Sequence, residues 1–137
     1  MDGESYVKVV VDSNFLIAPF LLGKDIFSEL SQVIDRRYEV VVLDCVLDEL
    51  RRLAEKGGRK GKLAEAALAF VEKGRFRVCP PGVEGEGVDD LILKYASKER
   101  CIVATNDAVL RKRLRQIGVP VIYLRQKNRL ILDGEIL

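Results

Sequence analysis

A three-layer α/β/α fold, with a mainly parallel central sheet of about five strands, is predicted by three features of this 137-residue chain. First, Val7-Lys8-Val9-Val10-Val11 is β-branched and apolar towards both faces, the pattern of a strand covered by helices on each side. Second, such strands alternate with segments of helical periodicity, in the order β-α-α-β-α-α-β-α-β-α-β. Third, strands end on acids, the first on Asp12-Ser13-Asn14 and the fourth on Thr105-Asn106-Asp107. In open α/β sheets, ligand sites lie outside the carboxyl ends of strands. Val7 to Val11 is therefore expected to be the central strand, although Asp12 taken alone reads as a plain strand-to-helix cap.

The elements follow in order. Phe15 to Leu22 is apolar and reads as a short buried helix closed by Gly23. Asp25 is a suitable N-cap for a helix over Ile26 to Arg36, where Ile26, Phe27, Leu30, Val33 and Ile34 recur at helical spacing. Tyr38 to Leu43 is the second strand, and Asp44 reads as the N-cap of a helix from Cys45 to about Lys56. On that helix Val46, Leu47, Leu50, Leu53 and Ala54 share one face. Asp48 points away from it, towards Arg52, whereas Glu49 falls on the border and can lean over a cleft. Three glycines among the cations of Glu55 to Lys62 predict a mobile basic loop, followed by a helix over Leu63 to Lys73 and a strand over Phe76 to Cys79. Pro80 to Gly87 is irregular. Val88 to about Lys98 is helical, with Asp89 close to the apolar arc and Asp90 nearly opposite. Cys101 to Ala104 is the fourth strand. A basic helix then runs from about Ala108 to Ile117, with Val109, Leu110, Leu114 and Ile117 inward and Gly118 as its stop. Val119 to Leu124 is the fifth strand, and 125–137 reads as an extended tail that turns back near Asp133-Gly134.

Length fits one domain over 1–137. No apolar run is long enough to cross a membrane, since Lys24 and Asp25 interrupt the one that begins at Phe15. Met1-Asp2-Gly3-Glu4 lacks the basic start of a secretory signal. Cys45, Cys79 and Cys101 are odd in number, lie in apolar segments and form no CxxC pair, which suggests reduced thiols and a cytoplasmic protein. With 23 basic and 21 acidic residues the net charge is only +2, but cations cluster at 51–52, 56–62, 111–115 and 125–129. The chain has no histidine, which excludes His-based general-base chemistry and the usual zinc hydrolase sites.

Right-handed crossovers bring the ends of the first and fourth strands to one rim, so Asp12 and Asp107 should meet there. Glu49 and Asp89 approach from flanking helices. Four carboxylates in one cleft call for a cation, and oxygen ligands without His or Cys suit Mg²⁺ or Mn²⁺. Such an ion polarises a phosphate oxygen and lowers the pKa of a bound water. A phosphatase-like α/β domain also places Asp at strand ends, but it would want a DxD pair or a cleft lysine.

Asp12-Ser13-Asn14 after a Val-rich strand, Glu49 on the third helix, Val88-Asp89-Asp90-Leu91-Ile92 and Ala104-Thr105-Asn106-Asp107 resemble the motifs of the PIN-domain nucleases. The resemblance runs from Val7 to about Leu124. Within the family, these motifs and the basic helix with Gly118-Val119-Pro120-Val121 are most similar to archaeal and eukaryotic proteins that process small-subunit ribosomal RNA. The toxin ribonucleases of toxin–antitoxin pairs are a more distant match. What the resemblance implies is a Mg²⁺- or Mn²⁺-dependent endoribonuclease. Asp12, Glu49, Asp89 and Asp107 would then be its catalytic and metal-binding acids, supported by Asn14, Thr105, Asn106 and Asp90. The helical wheel favours Asp89 over Asp90 as the third acid. Thr105 and Asn106 have a second reading, as caps of the last helix. RNA, single-stranded or structured, is the expected partner, contacted by Lys56, Arg59, Lys60 and Lys62; no membrane contact is expected, and a homodimer is left open. A PIN-like RNA-binding or ribosome-assembly module without catalysis is the alternative, and its mark would be loss of an acid.

Overall fold

The computed structural model describes residues 6–126 and 128–136. Val7–Val11 (β1) is the third of six strands in a sheet ordered β3-β2-β1-β4-β5-β6. The others are Tyr38–Leu43 (β2), Arg77–Cys79 (β3), Cys101–Ala104 (β4), Val121–Arg125 (β5) and Arg129–Asp133 (β6). β1 pairs in parallel with both β2 and β4, and β2–β3 and β4–β5 are parallel too. The central position expected of Val7 to Val11 is the one observed. Val9, Val10 and Val11 have no exposed surface, as two-sided burial requires, and each such side chain contributes roughly 1.5–3 kcal/mol of burial.

Helices flank the sheet: Ser13–Leu22 (α1), Leu30–Val33 (α2), Asp44–Lys56 (α3), Gly58–Lys73 (α4), Val88–Lys98 (α5) and Ala108–Gln116 (α6). α1 packs on α3 and α4, and α5 packs on α6. With right-handed crossovers these two groups lie on opposite faces of the sheet. Phe15, Phe27, Phe70 and Phe76 meet edge-on or tilted between α1, α4 and the start of β3, with ring centroids 5.2 to 5.7 Å apart.

The structure differs from the sequence reading at several elements. The sheet has six strands rather than five. The tail returns as β6, antiparallel to β5 with Tyr123 opposite Ile131. Its turn lies between Arg125 and Arg129, with Gln126 at φ 54°, and not at Asp133-Gly134. The helix expected over Ile26 to Arg36 shrinks to a 3-10 turn at Phe27–Glu29 and one helical turn. Ile34 is already extended, because the chain must straighten for Arg37 O to accept from Val7 N at 3.0 Å. Asp44 lies in the first turn of α3, whose cap is Leu43, so it does not serve as the N-cap. The basic loop is largely helix. Gly57 and Gly58 take φ of 75° and 74° to make the turn, and α4 begins at once. Gly61 explains the glycine content: a Cβ there would lie 3.1 Å from Leu53 O and 3.2 Å from Ala54 O, so glycine lets α3 and α4 touch. On α6, Leu110 and Leu114 are buried, but Val109 and Ile117 are 69% and 50% exposed, contrary to expectation. No described helix is long and apolar enough to cross a membrane.

Candidate functional site

The site grows from the end of β1. Asp12 N donates to Ala104 O at 3.0 Å, so β1 and β4 stay zipped to their last residues. The Asp12 side chain, only 3% exposed, is the N-cap of α1. Its Oδ1 accepts from Ser13 N at 2.8 Å. Its Oδ2 accepts from Thr105 Oγ1 at 2.8 Å and Asn14 Nδ2 at 3.1 Å. Burial pushes the carboxyl up to about 6, against the pull of the Thr105 and Ser13 donors, and Asp89 and Glu49 push it further. Burial is the main cause of the rise, and the neighbouring acids add to it.

Around it the rim is tied by side chains. Thr105, fully buried, donates to Asp12 and accepts from Asp107 N at 3.1 Å. Asn14 Oδ1 accepts from Asn106 N at 2.9 Å, and Asn106 Oδ1 accepts from Leu124 N at 2.9 Å. One relay therefore links the ends of β1, β4 and β5. Capping of α6 belongs to neither Thr105 nor Asn106 but to Asp107, whose Oδ1 accepts from Val109 N at 2.9 Å and Leu110 N at 3.1 Å.

The two helical acids approach from either side. Glu49 Oε1 accepts from Ser13 Oγ at 2.6 Å, which fixes the α3 acid to the β1 turn. Ser13 is the residue that sequence reasoning missed; its one signal was its place between Asp12 and Asn14 in the same turn. Asp89, at the start of α5, is exposed, and its carboxyl is raised by desolvation, then by Asp107 and by Glu49. Arg113 of α6 pulls it back. Asp90 turns elsewhere. Its Oδ2 accepts from Glu86 N at 3.0 Å and pairs with Lys94 at 3.4 Å, and the Glu86 N–H is the main cause of its lowered pKa. Asp48 is exposed on α3 and pairs with Arg51 at 3.0 Å, three residues on, rather than with Arg52.

Asp89 and Glu49 thus act on Asp12, and Asp107 and Glu49 act on Asp89, while Asp48 is held by a cation outside the cluster. Among the described residues no three carboxylates or thiols stand close enough to grip a bare ion as they are. Glu49 and Asp107 are each anchored separately, to Ser13 Oγ and to the start of α6. The donor set, oxygen only, fits a hard divalent ion that keeps several of its waters. The thiols do not contribute: burial raises Cys45 to about 11 and Cys101 to about 12. The cations at Lys56, Arg59, Lys60 and Lys62 are exposed together at the tip of the α3–α4 hairpin. Lys56 is seven residues beyond Glu49, about 10 Å along the helix axis.

Fold and rim together define an α/β protein with carboxylates gathered at the carboxyl ends of its parallel strands. The chain belongs to the PIN like domain family, whose model matches residues 9–127. Ribonuclease VapC4 of Methanocaldococcus jannaschii is 33% identical over 129 residues, 93% of this chain and 97% of that protein. The rRNA-processing protein fcf1 of Schizosaccharomyces pombe is 30% identical over 116 residues, 83% of this chain but 57% of that longer protein. The solved PIN domain endonuclease Utp24 superposes with a TM-score of 0.77 at 27% identity, covering 94% of this chain and 92% of that one.

Proposed function

We propose that the chain is a Mg²⁺- or Mn²⁺-dependent endoribonuclease that hydrolyses RNA phosphodiester bonds at the Asp12 cleft. The observation that carries this reading is the buried Asp12 carboxyl, raised to about 6 and fixed by three donors beside Glu49, Asp89 and Asp107. A purely structural role does not account for that many acids at one rim. Similarity to proteins named ribonuclease and endonuclease supports the same chemistry. The likeness to Utp24 and fcf1 favours ribosomal RNA as the substrate, and the 33% identity to VapC4 across nearly its whole length favours a toxin-type ribonuclease. Reduced cysteines suit a cytoplasmic setting.

In this reading Asp12, Glu49, Asp89 and Asp107 hold the ion. A bound Mg²⁺ or Mn²⁺ supplies polarisation of the scissile phosphate and a water of lowered pKa. Asp12 presents oxygens whose direction Thr105, Asn14 and the Ser13 amide have already set. Ser13 holds Glu49 in place, and Asn106 keeps β5 against the rim. Asp89 makes no hydrogen bond among the described residues, so its carboxylate is free for substrate-side work.

The experiment is cleavage of a generic single-stranded RNA, with and without chelator, set against hydrolysis of a small phosphomonoester. RNA cleavage restored by Mn²⁺ and no phosphomonoester turnover is the expected result. Phosphomonoester turnover alone would overturn the reading. In the same assay Asp89→Asn should cost at least ~100-fold, as removal of one stabilising group commonly does. Asp90→Asn should stay near native, because its carboxylate serves the 86–90 turn.

The basic hairpin tip has its own test. Replacing Lys56, Arg59, Lys60 and Lys62 with Ala should weaken RNA binding and make its salt dependence shallower. If all four touch phosphates of a single strand, the log–log slope falls by about 3. An unchanged slope would remove the tip from the RNA path.

A further inference from the structure

We propose that the groove between α6 and the β5–β6 hairpin is a nucleotide subsite, where one base of the RNA strand stacks on the Arg111–Tyr123 pair. The inference rests on RNA being the substrate and adds where, and by what part, the strand is gripped beyond the cleft.

The groove is lined by Ala108, Arg111, Lys112, Arg115, Tyr123 and Asp133. It begins at Ala108, the residue after Asp107, so one end of it lies beside an acid of the rim. The Arg111 guanidinium carbon lies 3.8 Å from the centre of the Tyr123 ring, a close cation–π stack. Arg111 has no carboxylate partner among the described residues, so no ion pair neutralises its charge there. Lys112, exposed beside it, has none either. Arg115 differs: it pairs with Asp133 at 3.3 Å and donates to Val119 O, and so forms the wall that fixes α6 to β6. The one acid of the groove is thus matched, leaving Arg111 and Lys112 as its unmatched positive charge.

Chemistry separates this groove from the hairpin tip. The tip offers exposed cations on glycine-rich backbone with no aromatic ring, which suits phosphates and is blind to bases. Here a planar guanidinium is backed by a ring. Single-stranded RNA is recognised by stacking of unpaired bases on such aromatic and guanidinium planes. Lys112 is placed to take the adjoining phosphate.

The test uses full-length Asp12→Asn protein, so that RNA survives the measurement. Its affinity is measured for a short single-stranded RNA and for the same RNA with one abasic site stepped along it. Stacking predicts one abasic position that weakens binding about tenfold. Arg111→Lys keeps the charge and loses the plane; it should bind the intact RNA about tenfold more weakly and no longer distinguish the abasic one. Tyr123→Leu keeps apolar bulk in β5 and should behave in the same direction. Circular dichroism confirms that each variant is folded. If Arg111→Lys distinguishes intact from abasic RNA as well as its parent does, the subsite is lost while the nuclease reading stands. If the native protein fails to cleave RNA but the abasic effect is present and needs Arg111, the subsite stands and the nuclease reading falls. An acidic peptide that binds the groove in place of RNA would overturn the proposal.

Discussion

Asp12→Asn is expected to abolish metal-dependent RNA cleavage, with a loss of at least ~100-fold, and yet to leave a chain more stable in chelator at pH 7. Both effects come from one charge. A carboxyl whose folded pKa is raised from 3.8 to about 6 by burial and neighbouring acids destabilises the folded state whenever it is ionised. The cost is absent below about pH 4, grows as pH rises through the interval, and is complete above about pH 6. Two pKa units correspond to about 3 kcal/mol. Against that gain stand the Thr105 hydroxyl and Asn14 amide donors on Oδ2, which would meet an amide NH2 instead of a carboxylate oxygen, a loss of about 2 kcal/mol. The gain wins. Chemical denaturation in chelator at pH 5 and pH 7 measures it: the native chain should lose stability as pH rises from this group, and the Asn variant should lack that component. Retained cleavage by Asp12→Asn, in a preparation free of other ribonucleases, would leave an RNA-binding scaffold as the reading.

Asp107 separates chemistry from architecture in a different way. Asn is as good an N-cap as Asp, so Asp107→Asn should keep its acceptor for Val109 N and Leu110 N and the stability of α6. Cleavage should nevertheless fall ~100-fold or more, since a formal negative charge at the cleft is gone. Asp107→Ala should lose activity equally and, in addition, about 1 kcal/mol of stability. Equal stability of the two variants would mean that the cap contributes nothing. Full activity of Asp107→Asn would remove Asp107 from the acid set.

Much of this arrangement was legible because strand burial and helical periodicity are written in adjacent residues. The Val runs located β1 and β2, and the wheel of α3 put Asp48 on the outer face. The wheel of α5 did not rank exposure correctly, since Asp89 is exposed and Asp90, tied to Glu86 N and Lys94, is half-buried. What could not be read was long-range. Gly61 looks like loop punctuation in sequence, but its reason is the backbone of α3 eight residues away in the chain. β6 was hidden because its turn uses Gln126 in a left-handed conformation, whereas the stronger Asp-Gly signal lies beyond the strand. Val109 and Ile117 were placed inward on periodicity alone, since the wheel cannot say how narrow a stripe the sheet covers. Ser13 was passed over because its partner, Glu49, is 36 residues away.

The relay through Asp12, Thr105, Asn14, Asn106 and Leu124 N has an evolutionary corollary. Most of these side chains hold backbone together as well as each other, so selection for a well-closed sheet would preserve them even in a descendant that no longer cuts anything. Their persistence is therefore poor testimony to activity. Glu49 and Asp89 are different witnesses. Among the described residues Glu49 is held only by a serine hydroxyl and Asp89 by nothing, so neither is needed to build the rim. In a lineage drifting towards a silent scaffold, those two would be the first to go.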